Sequence, residues 1–204
     1  MTTSQDILDF WFEGVTDATP IENKANPFRK WFMKNPKFDQ EIRTKFEVDL
    51  VTAQQGGYKS WEESARGRLA LIILFDQFSR NIYRNTPEAF VFDPLALDLT
   101  LRSLREGSDQ SLYLIERTFF YMPLMHAEDL AVQETSVQYF EKLLQESRQK
   151  KTANASYYEY SLGFAQRHQE IIRRFGRFPH RNAILQRPST EAEEQFLHKP
   201  ASSF

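Results

Sequence analysis

The stretch Arg66-Gly-Arg-Leu-Ala-Leu-Ile-Ile-Leu-Phe-Asp-Gln-Phe-Ser-Arg-Asn-Ile-Tyr-Arg84 decides the fold. At helical spacing, Leu69, Ile72, Ile73, Asp76, Arg80 and Tyr83 share one stripe, and Leu71, Leu74, Phe75, Phe78 and Ile82 fill the next. A helix that is apolar on nearly all sides belongs inside a bundle, with partners around it. Asp76 and Arg80, four residues apart on it, must then be paired or face a polar cavity.

Outward from this segment the chain reads as helix after helix. Upstream, a helix from Ser4 to Phe12 follows a Thr3 or Ser4 cap and stops at Gly14. Asn26-Pro27 and Asn35-Pro36 each pair a cap with proline at the first helical position, giving a short helix with Trp31 and Phe32 and a longer one through Leu50. Ser60 and Glu63 have capping-box spacing and are expected to open the central helix. Downstream, Glu88 to Arg105 has a helical pattern with a kink or fresh start at Asp93-Pro94. A helix from about Asp109 is expected to be interrupted at Tyr121-Met-Pro-Leu-Met-His126. Long amphipathic runs then cover Ala127 to Lys150 and Ser156 to Phe175, and Gly176 ends the second. Thr190 and Glu193 open a short last helix, before a tail (198–204) expected to be loose. The expectation is one all-α domain over 1–204, with eight or nine helices in antiparallel pairs and no strand.

Composition narrows the function classes. The chain has 204 residues, enough for a sizeable core, with 18 Phe against 7 Gly. A net charge of −2 gives no global pull toward nucleic acid or an anionic membrane. No cysteine is present, which removes disulfides, a thiol nucleophile and thiolate metal sites. The apolar run 69–75 is too short to span a bilayer, and no signal peptide is readable, so a cytoplasmic location is expected. Gly-rich phosphate loops, the Gly-x-Ser-x-Gly elbow and the helical His-Glu-x-x-His motif are absent. No metal and no cofactor is called for.

Three blocks carry a family resemblance: Gly67 to Arg84, Glu116 to Asp129 (Glu-Arg-Thr-Phe-Phe-Tyr-Met-Pro-Leu-Met-His-Ala-Glu-Asp), and His168 to Asn182 (His-Gln-Glu-Ile-Ile-Arg-Arg-Phe-Gly-Arg-Phe-Pro-His-Arg-Asn). With Ile7-Leu-Asp-Phe-Trp-Phe12 and Arg187-Pro-Ser-Thr-Glu-Ala-Glu-Glu194, the chain resembles the domain-of-unknown-function family nine-twenty-four over nearly its whole length. The resemblance implies a tetratricopeptide-like superhelical fold and no established activity. Two positions depart from the family pattern: Ala127, where Ser is commoner, and Gln186, in a place associated with Gly.

The same blocks hold the candidate site. His126 with Asp129 is a candidate catalytic pair, the carboxylate orienting the imidazole as a general base. The bland alternative is that Glu128 and Asp129 cap a helix start. Residues 167–187 hold six arginines against Glu170 alone, a local cationic excess that suits carboxylate or phosphate. Asp76, Arg80, Arg177, His180 and Arg181 are the candidate ligand-binding residues. The alternative pairs these arginines with Glu116, Glu128, Asp129, Glu191, Glu193 and Glu194. His168, beside Ile171, Ile172 and Phe175, reads as a core histidine, and His198 as incidental. The favoured expectation is a small-ligand-binding protein or enzyme with a polar Asp/Arg/His pocket for an anionic metabolite. The other is a helical module that binds a protein partner. Binding of nucleic acid lacks a reading motif.

Overall fold

Leu69 to Ile82 is buried almost throughout, as its all-round apolar character requires, but it is not one α-helix. The structure, a computed structural model, describes residues 2–21, 30–200 and 202. In it, α-helical turns at Ala65–Ile72 and Ser79–Ile82 flank a π-helical turn at Ile73–Phe78, together forming α3. Within that turn the Ser79 N–H reaches back to the Leu74 carbonyl. The Ser79 hydroxyl meanwhile donates to the Phe75 carbonyl at 2.6 Å, which the shifted N–H has left. One residue thus satisfies both carbonyls, and the π turn costs no buried acceptor.

Ser64, not Ser60, caps α3, accepting from the Gly67 N–H at 3.0 Å. Lys59–Glu63 is a separate 3-10 turn lying so close that a Cβ at Gly67 would fall 2.0 Å from the Trp61 carbonyl oxygen.

Around α3 stand α1 (Ser4–Phe12), α2 (Pro36–Gln54), α4 (Asp93–Arg105) and α5 (Leu114–His126), each packed against it. The caps of α1 at Thr3 and of α2 at Asn35 are formed as the sequence indicates. The start at Asn26-Pro27 lies outside the described residues. Pro87–Phe90 is a 3-10 turn, and Asp93-Pro94 makes a fresh helix start.

The expected interruption at Tyr121 to His126 does not occur. Ser108–Ser111 is a 3-10 turn, and α5 then runs through Pro123 to His126. Every residue of α5 from Leu114 to Met125 is buried, making it a second central helix. Its first N–H groups, on Leu114 and Ile115, donate to the Asp17 carboxylate at 3.0 and 3.1 Å. An anion from a distant loop thus caps a buried helix start.

The phenylalanines gather where α1, α2, α3 and α5 meet. Trp11 packs edge-on to Phe78 and Phe119 at 5.6 and 5.5 Å, and Trp31 meets Phe119 at 4.9 Å. Such pairs add about 0.5–1.5 kcal/mol each beyond burial. Outside this core α6 (Leu130–Gln149) and α7 (Ala155–Phe175) pack along one another, and α8 (Glu191–Leu197) closes the chain behind its Thr190–Glu193 capping box. Of the tail, Ser202 is described; it is buried and donates to the Leu197 carbonyl. The remaining tail positions 201, 203 and 204 lie outside the described residues. No strand occurs among the described residues.

Candidate functional site

Three segments that resemble family blocks meet around one cavity of about 650 Å³. From α3 and the turn after it come Gln77, Arg80, Asn81 and Arg84; from α5, Met122, Met125 and His126; from the C-terminal part, His168, His180, Arg181 and Ile184. The volume is that of a small-molecule pocket.

The polar end is built on Asp76, whose side chain is 1% exposed. Its Oδ1 lies 2.6 Å from His126 Nδ1, and its Oδ2 accepts from Gln77 Nε2 at 2.6 Å. Arg80 Nη2 stands 3.4 Å from Asp76 and 2.8 Å from Asp93. Burial pushes the Asp76 carboxyl up, but His126, Arg80 and Gln77 together outweigh it and hold the group at about 2. Asp76 is therefore an anion, so the nitrogen facing it carries the proton and His126 is the Nδ1–H tautomer. Burial, aided by Arg80, keeps the ring's pKa below its usual value and leaves it neutral. His126 Nε2 has no hydrogen-bond partner among the described residues. This is the arrangement of a histidine base with an orienting carboxylate.

The rest of the polar wall is cationic and tightly held. Arg181, 6% exposed, donates to the His126 carbonyl at 3.0 Å and reaches Asp93 at 3.4 Å. Its guanidinium lies over the rings of Phe90 and Phe178 at 4.7 and 4.6 Å. Burial, with Arg80 nearby, lowers its pKa to about 10, so it remains a cation at neutral pH. Burial and the same two arginines drive His180 down to about 4. His168 is buried too; its Nδ1 donates to the Phe164 carbonyl at 2.8 Å, and burial takes its pKa well below the usual value.

Of the residues expected at the site, Asp76, Arg80, His126, His180 and Arg181 come together here. Asp129 and Arg177 do not. Asp129 is exposed and caps α6, accepting from the Val132 N–H at 3.0 Å, so His126 takes Asp76 as its carboxylate instead. Arg177 makes a two-pronged pair with Glu193 at 2.7 and 2.8 Å and fastens α8. Arg187 likewise grips Glu128, which also accepts from the Phe178 N–H. Glu116, one of the acids expected to pair with the arginine block, binds Arg66 and the α5 start. His168 is a buried histidine as expected, yet it also lines the cavity. Asp93, which joins Arg80 to Arg181, gave no sign in the sequence beyond an Asp-Pro helix start. Among the described residues no group of His, Asp and Glu could hold a metal ion, and no helix is long and apolar enough to cross a membrane.

Comparison with known proteins agrees with this extent of resemblance. The family model "Bacterial protein of unknown function (DUF924)" matches residues 7–201. A solved protein of unknown function from Agrobacterium tumefaciens is 34% identical, with 97% of each chain covered and a TM-score of 0.78. No curated protein matches the chain. Gln186, the position associated with Gly in the family, has φ 54 here, a left-handed conformation that glycine adopts without strain.

Proposed function

Since the chain belongs to DUF924, a bacterial family of unknown function, we propose its role from the cavity alone: it binds a small anionic metabolite, and His126 moves a proton on or beside it. The observation that carries this is the 2.6 Å contact between His126 Nδ1 and buried, anionic Asp76, at the wall of a cavity shared with Arg80 and Arg181. Asp76 fixes the ring and favours the imidazolium that forms when Nε2 accepts a proton from the ligand or a water. Arg80 and Arg181 supply the donors for the ligand's negative group. Aromatic packing and the Asp93 bridge preorganise both arginines, so little is lost in ordering them on binding.

A thermal-shift screen of anionic metabolites tests this, run on the wild type, Arg181→Lys, Arg181→Ala and Arg177→Ala. A ligand at a hundred times its Kd stabilises by about 2.7 kcal/mol, a shift of several degrees. The expected result is a shift in the wild type and Arg177→Ala, reduced in Arg181→Lys and absent in Arg181→Ala. Shifts that depend on Arg177 rather than Arg181 would move the site elsewhere. No shift from any anion, with a protein that co-purifies, would favour the tetratricopeptide-like interaction module.

A further inference from the structure

The cavity has two unlike kinds of lining. Besides the His126 and Arg181 wall it is lined by Trp31, Phe32, Met33, Tyr160 and Phe164. Phe32, Met33 and Tyr160 stand at the rim and are among the large apolar side chains left exposed, at 42%, 50% and 42%. An apolar surface that continues from inside a pocket to its mouth marks a place for apolar ligand matter. Met122 and Met125, adaptable in shape, line the cavity beside the polar wall, where Met122 Sδ accepts from Gln77 Nε2 at 3.3 Å.

Charge limits the polar end. Four cations line the cavity: Arg80, Arg181, Arg84 and Lys34. Arg84 is held in a two-pronged pair by Asp39 at 2.6 and 2.7 Å. Arg80 and Arg181 are matched by Asp76 and Asp93. With the three histidines neutral, the charge left over is that of Lys34, exposed beside Met33 at the rim, and the Arg80 and Arg181 end is balanced. At that end a monoanion adds one partly desolvated negative charge beside Asp76 and Asp93 and a dianion adds two, which is the costlier. Arg181 Nε and Arg80 Nε are also buried without hydrogen-bond partners among the described residues, so the two guanidinium groups are not saturated by the protein.

We propose that the cavity takes an amphipathic monocarboxylic acid, its carboxylate on Arg80 and Arg181 and its alkyl or aryl body along the Trp31, Phe32 and Phe164 side toward the mouth. This rests on the anion-pocket reading above and names its substrate class. The carboxylate lies at the Arg181 end, so His126 addresses the atoms next to it, and the apolar body sets affinity.

Isothermal titration of the full chain with butanoate, hexanoate, octanoate, 3-phenylpropanoate, octanamide, octyl phosphate and inorganic phosphate tests the proposal. Affinity should rise about fourfold per added methylene along the alkanoates, as transfer of each group from water requires. Octanamide, which lacks the charge, should bind at least tenfold more weakly than octanoate, and octyl phosphate more weakly than octanoate. Phe32→Ser, at a position 42% exposed, should flatten the chain-length dependence, and Arg181→Lys should weaken all carboxylates alike. If octyl phosphate and inorganic phosphate bind more tightly than octanoate, the carboxylate assignment falls while the anion pocket stands. A flat chain-length series, or equal binding of octanamide, overturns the amphipathic assignment. Failure of every anion to bind removes the anion pocket itself.

Discussion

His126 and Asp76 stand fifty residues apart in sequence and 2.6 Å apart in the fold, the first at the end of α5 and the second in the π turn of α3. The contact joins the two most deeply buried helices at their polar point. Removing the carboxylate leaves Arg80 and His126 in a buried place built around an anion. Loss of one member of a buried charged group costs about 3–5 kcal/mol. Asp76→Ala is therefore expected to lose about 3 kcal/mol by urea denaturation, since Asp93 still holds Arg80. Asp129→Ala removes a helix cap and is expected to lose about 1 kcal/mol. Equal losses would contradict the assignment of Asp76 as the partner of His126. Nitrogen-15 shifts of the ring give a second reading: Nδ1–H in the wild type, and a gain of the Nε2–H form in Asp76→Ala.

Acid should destabilise this protein earlier than its carboxylates alone predict. Burial lowers the pKa of His126, His168 and His180, the last from 6.5 to about 4, with the Arg181 and Arg80 charges adding to the effect. Between those two values the unfolded chain binds protons that the folded chain refuses. Stability therefore rises with pH through this window and falls as pH is lowered through it. Within that window His180 contributes a slope of up to about 1.4 kcal/mol per pH unit, and His126 and His168 act in the same direction. Asp76 adds a later loss: its folded pKa lies at about 2 against 3.8, so its contribution is complete above 3.8 and disappears as pH falls toward 2. Urea midpoints at pH 7.5, 6.0 and 5.0 should decline steadily, and His180→Gln should reduce the decline. Identical midpoints at pH 7.5 and 5.0 would mean that these rings are charged in the fold.

Much of the fold was legible because it rests on local signals. The Thr3, Asn35 and Thr190 caps, the Gly176 stop and the buried face of α3 follow from residue types at fixed offsets. The π turn was not legible, since a reading at 3.6 residues per turn assumes the geometry that it breaks. Pro123 read as an interruption because proline removes a helical hydrogen bond. Here it lies one turn from the end of α5, where tertiary burial holds the helix together. At the site, the sequence picked out five residues that converge: Asp76 and Arg80 because ionisable groups in an apolar helix need a reason, His126 as a ring beside acids, and His180 and Arg181 from the cationic excess of 167–187. It paired His126 with the neighbouring Asp129 because sequence shows only near neighbours. The true partner came from another helix, and Asp93 was invisible for the same reason.

The arginine block divides into two jobs, and mutations should separate them. Arg177 and Glu193 tie α8 to the turn that follows α7, with Pro188 accepting from Arg177 as well. Arg181 faces the cavity. Arg177→Ala is expected to raise hydrogen exchange across Glu191–Leu197 by an order of magnitude or more, while ligand affinity changes less than twofold. Arg181→Lys should leave exchange in α8 unchanged and weaken the ligand. If Arg177→Ala abolishes binding with α8 still protected, the cationic site extends beyond the cavity.

Two glycines in helices should respond to alanine with opposite signs. Alanine is favoured over glycine in a helix interior by about 1 kcal/mol. Gly163, inside α7, has nothing within 4 Å of an added Cβ, so Gly163→Ala should gain about that much. Gly67 sits in the first turn of α3 and shares the helical backbone, but its Cβ would stand 2.0 Å from the Trp61 carbonyl oxygen and 2.9 Å from the Ser64 hydroxyl that caps the helix. The obstacle is backbone, which cannot swing aside as a side chain can. Relief would need the Lys59–Glu63 turn to move away, with loss of the Ser64 cap. Overpacking of this kind costs about 1–3 kcal/mol, more than the helix propensity returns. Gly67→Ala should therefore lower the urea midpoint while Gly163→Ala raises it. A stabilised Gly67→Ala would show that the turn is not seated against α3 as described.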